Sequence, residues 1–166
     1  FFKERMKNIL KEKRIRTDII EASISSHLSD NFLELYKKTL IMNKFISKDL
    51  GKNAVSTYKR ASNILDQEKL TSKHGPDAVL FQHEEEKELF ERINSIRKSF
   101  TLKDEKKNYE DHLRLLSETK LSTDKFFDNV KVNDENQDLK NNRLELLQIL
   151  CSTFNSFVDF SKLEGA

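Results

Sequence analysis

A chain of 166 residues with 36% hydrophobic and 35% charged side chains is long enough for one good-sized core and short for two, so one domain over 1–166 is expected. Its 30 Lys and Arg against 28 Asp and Glu leave a net charge of +2, too small by itself to define a nucleic-acid partner. No window approaches the roughly 18 consecutive apolar residues of a membrane span, and no apolar run with a small-residue cleavage site follows the basic start, so neither a membrane partner nor export is expected.

Gly occurs three times and Pro once, while Leu, Lys and Glu are abundant, which points to an all-α helical bundle of about six to eight helices. The single cysteine, Cys151, lies among Leu147, Ile149 and Leu150 and reads as a core thiol, which fits a reducing, cytoplasmic location. A start at Phe1-Phe2 without Met, already inside a helical pattern, reads as a piece of a longer chain.

In chain order, apolar residues at 2, 6, 9 and 10 predict a first helix, and Thr17-Asp18 offers a new N-cap for Ile19 to Ile24. Asp30 can cap a longer helix with Phe32, Leu33, Tyr36, Leu40 and Ile41 on one stripe, ending near Gly51. A helix over about 52–67 follows, with Val55, Tyr58, Ala61 and Leu65 inward. The segment 71–77, containing Gly75-Pro76, is the most loop-like and is the place for a seam if one exists.

From Glu84 the pattern resumes through Leu89, Ile93, Ile96 and Phe100, with Glu84, Glu85 and Glu86 on the first turn, where the helix dipole favours negative charge. A helix over about 107–118 carries Tyr109, Leu113 and Leu116, and Ser122 or Thr123 can cap a short one through Phe126-Phe127. The last helix, with Leu139, Leu144, Leu147, Leu150, Cys151, Phe154, Phe157 and Val158 inward, is expected at the centre of the core.

The residues carry little chemistry. His27, His74, His83 and His112 are scattered without a partner at i+4, and no phosphate loop, nucleophile elbow or zinc-protease motif is present, so no catalytic residue, metal site or cofactor is expected in this chain. Charge is nevertheless uneven. Lys3, Arg5, Lys7, Lys11, Lys13, Arg14 and Arg16 face Glu4 and Glu12, and between Tyr36 and Arg60 Asp49 stands alone against Lys37, Lys38, Lys44, Lys48, Lys52, Lys59 and Arg60.

Two constellations remain. Lys52, Ser56, Lys59, Arg60, Asn63 and Gln67 fall on the helix face opposite Val55, Tyr58 and Leu65. Cations suit phosphate, and Arg and Asn can bond an unstacked base, so Lys52, Lys59, Arg60 and Asn63 are candidate RNA contacts; a merely solvated helix face is the alternative. In the second, Arg143 lies beside the inward stripe of the last helix and needs a counter-ion, for which Asp128 is the expected partner in a structural ion pair; an RNA contact is the alternative.

Phe126-Phe127-Asp128-x-Val130, then Leu139-x-x-Asn142-Arg143-Leu144-x-Leu146-Leu147 and Asp159-Phe160-Ser161-x-Leu163, resemble the C-terminal, anticodon-binding (DALR-like) region of bacterial glycyl-tRNA synthetase beta chains. Upstream, Lys59-Arg60-x-x-Asn63-Ile64, Leu80-Phe81 with Glu85, Glu88 and Leu89, and Phe2-x-Glu4-Arg5 with Arg16-x-Asp18-x-Ile20 extend the resemblance over nearly the whole chain. Lys131 and Asn133 depart from the family's apolar continuation, and Lys140 stands where the family leads one to expect Arg.

The resemblance implies a fold similar to the helical anticodon-binding domain of arginyl-tRNA synthetases. It also implies a parent glycine–tRNA ligase of alpha2beta2 composition, whose alpha subunit carries the ATP, magnesium and glycine chemistry while this part grips glycine tRNA. Two functions are therefore expected in competition: a tRNA-binding module, and a structural or subunit-contact domain of the same synthetase that does not read the anticodon.

Overall fold

The computed structural model describes residues 1–26, 31–70, 74–101 and 108–165. Among them are seven α-helices: α1 (Phe2–Glu12), α2 (Thr17–Ser25), α3 (Phe32–Ile46), α4 (Asp49–Gln67), α5 (Glu84–Thr101), α6 (Tyr109–Asn129) and α7 (Gln137–Asn155). Two 3-10 turns, Ala78–Leu80 and Phe160–Lys162, complete the regular structure. The expected all-α bundle is what the chain forms.

Four long helices make a ring in which α4 packs on α6, α6 on α5, α5 on α7, and α7 back on α4. Helices α1, α2 and α3 pack on one another and join the ring through α3, which touches both α4 and α6. One apolar cluster runs through both parts, from Leu10, Ile19 and Leu35 to Leu89, Leu116, Leu147, Phe154 and Leu163. Helix α7 is central, as its inward stripe foretells: Leu144, Leu147, Leu150 and Phe154 are completely buried.

The first helix closes with a full Schellman motif. Arg14 N–H donates to the Lys11 carbonyl, Ile15 N–H donates to the Leu10 carbonyl, and Leu10 and Ile15 are both buried. Arg14 consequently takes φ of 59°, a conformation in which a side chain costs roughly 1 kcal/mol relative to glycine. The stripe of α1 is only partly covered: Leu10 is buried, whereas Phe2 is 62% exposed.

Several boundaries differ from expectation. Thr17 opens α2 instead of capping it, the N-cap being Arg16 with no side-chain cap bond. Asp30 and His27 lie outside the described residues; Asn31 caps α3 by accepting from the Glu34 N–H. Helix α3 buries Leu35, Thr39, Met42, Phe45 and Ile46, a face rotated from the expected one, and leaves Leu33 and Leu40 exposed.

It also ends at Ile46 and not at Gly51, which instead lies in the first turn of α4. A Cβ there would stand 2.2 Å from the Phe45 carbonyl oxygen, so the glycine is required by backbone approach at the α3–α4 corner.

The segments expected at about 107–118 and after Ser122 form one helix, α6; residue 107 lies outside the described residues. Neither Ser122 nor Thr123 caps a helix, since both lie inside α6. The buried hydroxyls of Ser122 and Thr119 donate to the carbonyls of Thr119 and Leu116, so the helix continues through polar residues that elsewhere start one.

Of the expected seam, residues 71–73 lie outside the described residues, and from His74 onward the crossover is bonded to α7. Gly75, with φ of 81°, supplies its left-handed turn.

The C-terminal segment docks on α2. Asp18 receives the Arg16 guanidinium at 3.0 and 2.6 Å and the Glu164 N–H at 2.8 Å, and Asp159 N–H donates to the Ala22 carbonyl at 3.0 Å. Phe160 is buried against Tyr58 and Phe154, while Asn155 accepts from Phe160 N–H and donates to the Tyr58 hydroxyl. The motif-bearing segments 16–20 and 159–163 thus form the joint that ties α2 to the end of the chain.

Candidate nucleic-acid interface

Helix α4 is amphipathic in the expected sense. Val55, Tyr58 and Ala61 are buried, while Lys52, Ser56, Arg60, Asn63 and Gln67 are exposed and Lys59 is half-buried. Three of the four candidate RNA-contacting residues therefore point to solvent, and the fourth lies beside the chain terminus, its Nζ near Gly165.

Their surroundings differ. Among the described residues Lys52 pairs with the exposed Asp49 at 4.0 Å, an ion pair worth little in water. Arg60 is engaged by α6: its guanidinium carbon lies 4.2 Å from the centroid of the Phe127 ring, and Nη1 is 3.7 Å from Asp124 Oδ1. Asp124 is shared with Lys120, one turn earlier on α6. Phe127 is steadied in turn by an edge contact with fully buried Phe126, ring centroids 5.5 Å apart.

The second constellation forms a buried polar seam, but with different partners. Arg143 is 1% exposed, and its Nε donates to Glu86 Oε1 at 3.0 Å. Its Nη1 donates to Asp134 Oδ2 at 2.8 Å and to the Lys131 carbonyl at 2.9 Å. Asp128, the expected counter-ion, is exposed at the end of α6. The correction has a simple cause: Arg143 points toward the start of α5 and the 130–136 connection, and carboxylates from both converge on it.

Glu86, 1% exposed, does more than complement a helix dipole. Its Oε2 accepts from the backbone N–H groups of Gln82 and His83 at 2.8 and 2.9 Å, as the glutamate of a capping box does, while Oε1 holds Arg143. Asp134 is held below the ordinary carboxyl value, first by the Asn136 backbone N–H and then by Arg143.

Asn142 uses both ends of its amide on Asp77, accepting from the N–H at 2.6 Å and donating to the carbonyl at 3.0 Å. Buried Glu145 accepts from His74 N–H, and Lys140 pairs with Glu68 at 2.5 Å. The first half of α7 is thus a clamp on the crossover between α4 and α5.

Glu86 was expected only to complement the dipole of α5 and Asn142 only as part of the family motif, while Asp134 carried no expectation. One signal was available for Glu86, which stands three residues after His83 and just before an apolar run, the spacing of a capping-box glutamate. Cys151 is buried as expected, and burial pushes its thiol up to about 12, far from a reactive thiolate. No group of three or more His, Cys, Asp or Glu among the described residues is placed to hold a metal ion, and no described helix is long and apolar enough to cross a membrane.

The chain is thus an all-helical bundle that carries cations and an amide on the exposed face of α4. Residues 54–161 match the DALR anticodon binding domain, and the chain belongs to that family.

It is 38% identical over 163 residues to the glycine–tRNA ligase beta subunit of Rickettsia africae (strain ESF-5), covering 98% of this chain and 24% of that protein. The corresponding subunit of Rickettsia conorii (strain ATCC VR-613 / Malish 7) is 37% identical, with the same coverage. That of Sulfurihydrogenibium sp. (strain YO3AOP1) is 35% identical over 166 residues, 99% of this chain and 24% of that protein. The chain therefore spans about a quarter of the length of the curated relatives it matches.

Proposed function

We propose that this chain is the tRNA-gripping module of a glycine–tRNA ligase beta chain, holding the anticodon region of glycine tRNA while aminoacylation proceeds elsewhere. The observation that carries the reading is the exposure of Arg60 and Asn63 on α4, within the residues matched by the anticodon-binding family and close to exposed Lys52. Cations there neutralise phosphate and the amide can meet a base edge, so binding at the loop fixes where the distant acceptor end can go.

In this reading the parent is a cytoplasmic ATP- and magnesium-dependent ligase of alpha2beta2 composition, with the alpha subunit as partner and site of the glycine chemistry. This chain contributes binding and orientation.

The test is a fluorescence titration of glycine tRNA against an anticodon-swapped tRNA, with wild type and a Lys59→Ala/Arg60→Ala variant. Wild type is expected to prefer glycine tRNA, with log affinity falling by roughly 0.7 to 0.9 per phosphate neutralised for each unit of log salt. The double variant is expected to lose both affinity and preference. Equal, unchanged binding by both proteins sinks this assignment of the α4 face.

The subunit-contact reading has an observation of its own. Phe1, Phe2 and Leu33 are 94%, 62% and 62% exposed, and Phe2 stacks near Phe32 with centroids 5.1 Å apart. Exposed aromatics of this kind suit a protein contact whose anchors are apolar. Indifference to tRNA, together with alpha-subunit binding that a Phe2→Ser substitution weakens, would favour it.

A further inference from the structure

Arg60 combines two features that a phosphate-clamping cation does not need. Its guanidinium carbon lies over the Phe127 ring, 4.2 Å from the centroid, and its charge is offset by Asp124 at 3.7 Å. Yet half of the side chain, 50%, remains exposed. The guanidinium is thus backed by an aromatic ring and flanked by a carboxylate, while half of the side chain stays open to solvent.

Support of this kind reduces the side-chain entropy that a surface arginine loses on binding. The neighbouring carboxylate meanwhile weakens what Arg60 can offer a phosphate. Phe127 is itself held by Phe126, so the platform belongs to the α6 scaffold and is not a chance rotamer of one long side chain. Asn63, one turn further along the same exposed face of α4, is within reach of the edge of anything lying flat on that plane.

We propose that Arg60, Phe127 and Asp124 form a stacking site for one unpaired nucleobase, the base lying on the open face of the Arg60 guanidinium with Asn63 at its edge. Phe127 and Asp124 are positioning residues that act through Arg60. This rests on the tRNA-binding reading above and assigns Arg60 a role in it: base stacking in place of phosphate neutralisation. Planar stacking on arginine and aromatic faces is how single-stranded RNA is commonly held, because every base has a face to offer.

The experiment is an anisotropy titration of the chain with the anticodon stem-loop of glycine tRNA. It is repeated with single abasic nucleotides through the loop and at several salt concentrations. Arg60→Lys keeps the charge and removes the plane; Phe127→Leu keeps an apolar support and removes the ring. Each is expected to weaken the intact stem-loop by about 5- to 20-fold with an unchanged salt slope. Each is also expected to lose nothing further against the RNA that is abasic at the stacked position.

Asp124→Asn should steepen the salt slope while lowering the penalty of that abasic site. Melting temperatures accompany every variant, and if Phe127→Leu does not fold, the Arg60→Lys series decides alone.

Wild-type affinity retained by Arg60→Lys, or a loss equal for every abasic RNA, overturns the stacking site while leaving tRNA binding intact. Failure of the wild-type chain to bind any of these RNAs overturns the tRNA-binding reading itself, and this site with it.

Discussion

Arg143 on α7 and Arg60 on α4 sit in similar words of sequence, Lys-Asn-Asn-Arg and Lys-Arg-x-x-Asn, and the fold uses them in opposite ways. Arg143 is withdrawn from water and met by Glu86, Asp134 and a backbone carbonyl. Arg60 keeps half its surface in solvent, with one carboxylate at 3.7 Å. Residue type does not distinguish architecture from interface. The number and reach of the acids that other elements bring to the cation do.

The sharpest way to break this contrast is Glu86→Ala. It strips the buried guanidinium of its Nε partner and leaves two backbone N–H groups without their acceptor, so a loss of about 3–5 kcal/mol is expected. For a chain of this size that lowers Tm by roughly 10 °C, measurable by calorimetry. Asp128→Ala, which alters an exposed side chain, is expected to leave Tm within about 1 °C. Equal losses from the two would restore the Asp128 pairing and refute the Glu86 one.

Next in size is Asn142→Ala. Both hydrogen bonds to Asp77 vanish at a buried position, with an expected cost of about 2 kcal/mol read as a lower urea midpoint at unchanged slope. A changed slope would instead mean that the crossover no longer docks on α7.

Asp134 gives the seam a pH signature. Because the folded state holds its carboxyl below the ordinary 3.8, the unfolded chain takes up that proton first. The stability it contributes is complete above about pH 4 and is lost as pH falls through the lower folded-state value. Between pH 7 and pH 3 the urea midpoint of wild type should therefore fall further than that of Asp134→Asn. Identical falls would show that neither the Asn136 N–H nor Arg143 lowers the Asp134 carboxyl in solution.

The helices and their inward faces were largely legible because 3.6-residue periodicity is local: Leu89, Ile93 and Ile96 on α5 and the α7 stripe from Leu139 to Phe154 lie where it puts them, while Phe157 and Val158 are buried beyond the helix end at Asn155. What failed was set by partners distant in sequence. The buried face of α3 is decided by α2, α4 and α6, not by its densest apolar run, so Leu33 stays exposed while Thr39 is buried.

Gly51 resembled a helix stop, yet it serves as the space into which the Phe45 carbonyl fits. The need of Arg143 for a counter-ion could be read from its place beside the stripe. Its identity could not, since Glu86 lies on another helix, across a crossover whose path the sequence does not specify. The α4 face was legible as a face, but its coupling to Phe127 and Asp124 depends on how α4 and α6 pack.

The smallest expected effect is on the other side of the contrast. Arg60→Ala removes an exposed cation–π contact and one long ion pair, together worth about 0.5–1 kcal/mol, so Tm should fall by no more than roughly 2–4 °C. Adding salt should shrink even that difference, because a half-exposed charge pair is screened. The Glu86→Ala loss should persist, because the Arg143 pair is shielded from ions by the core. Melting both variants at low and high salt therefore separates the two arginines without any RNA present. A salt-insensitive Arg60→Ala loss of several kcal/mol would move Arg60 from the surface to the scaffold and remove the reason for placing a ligand upon it.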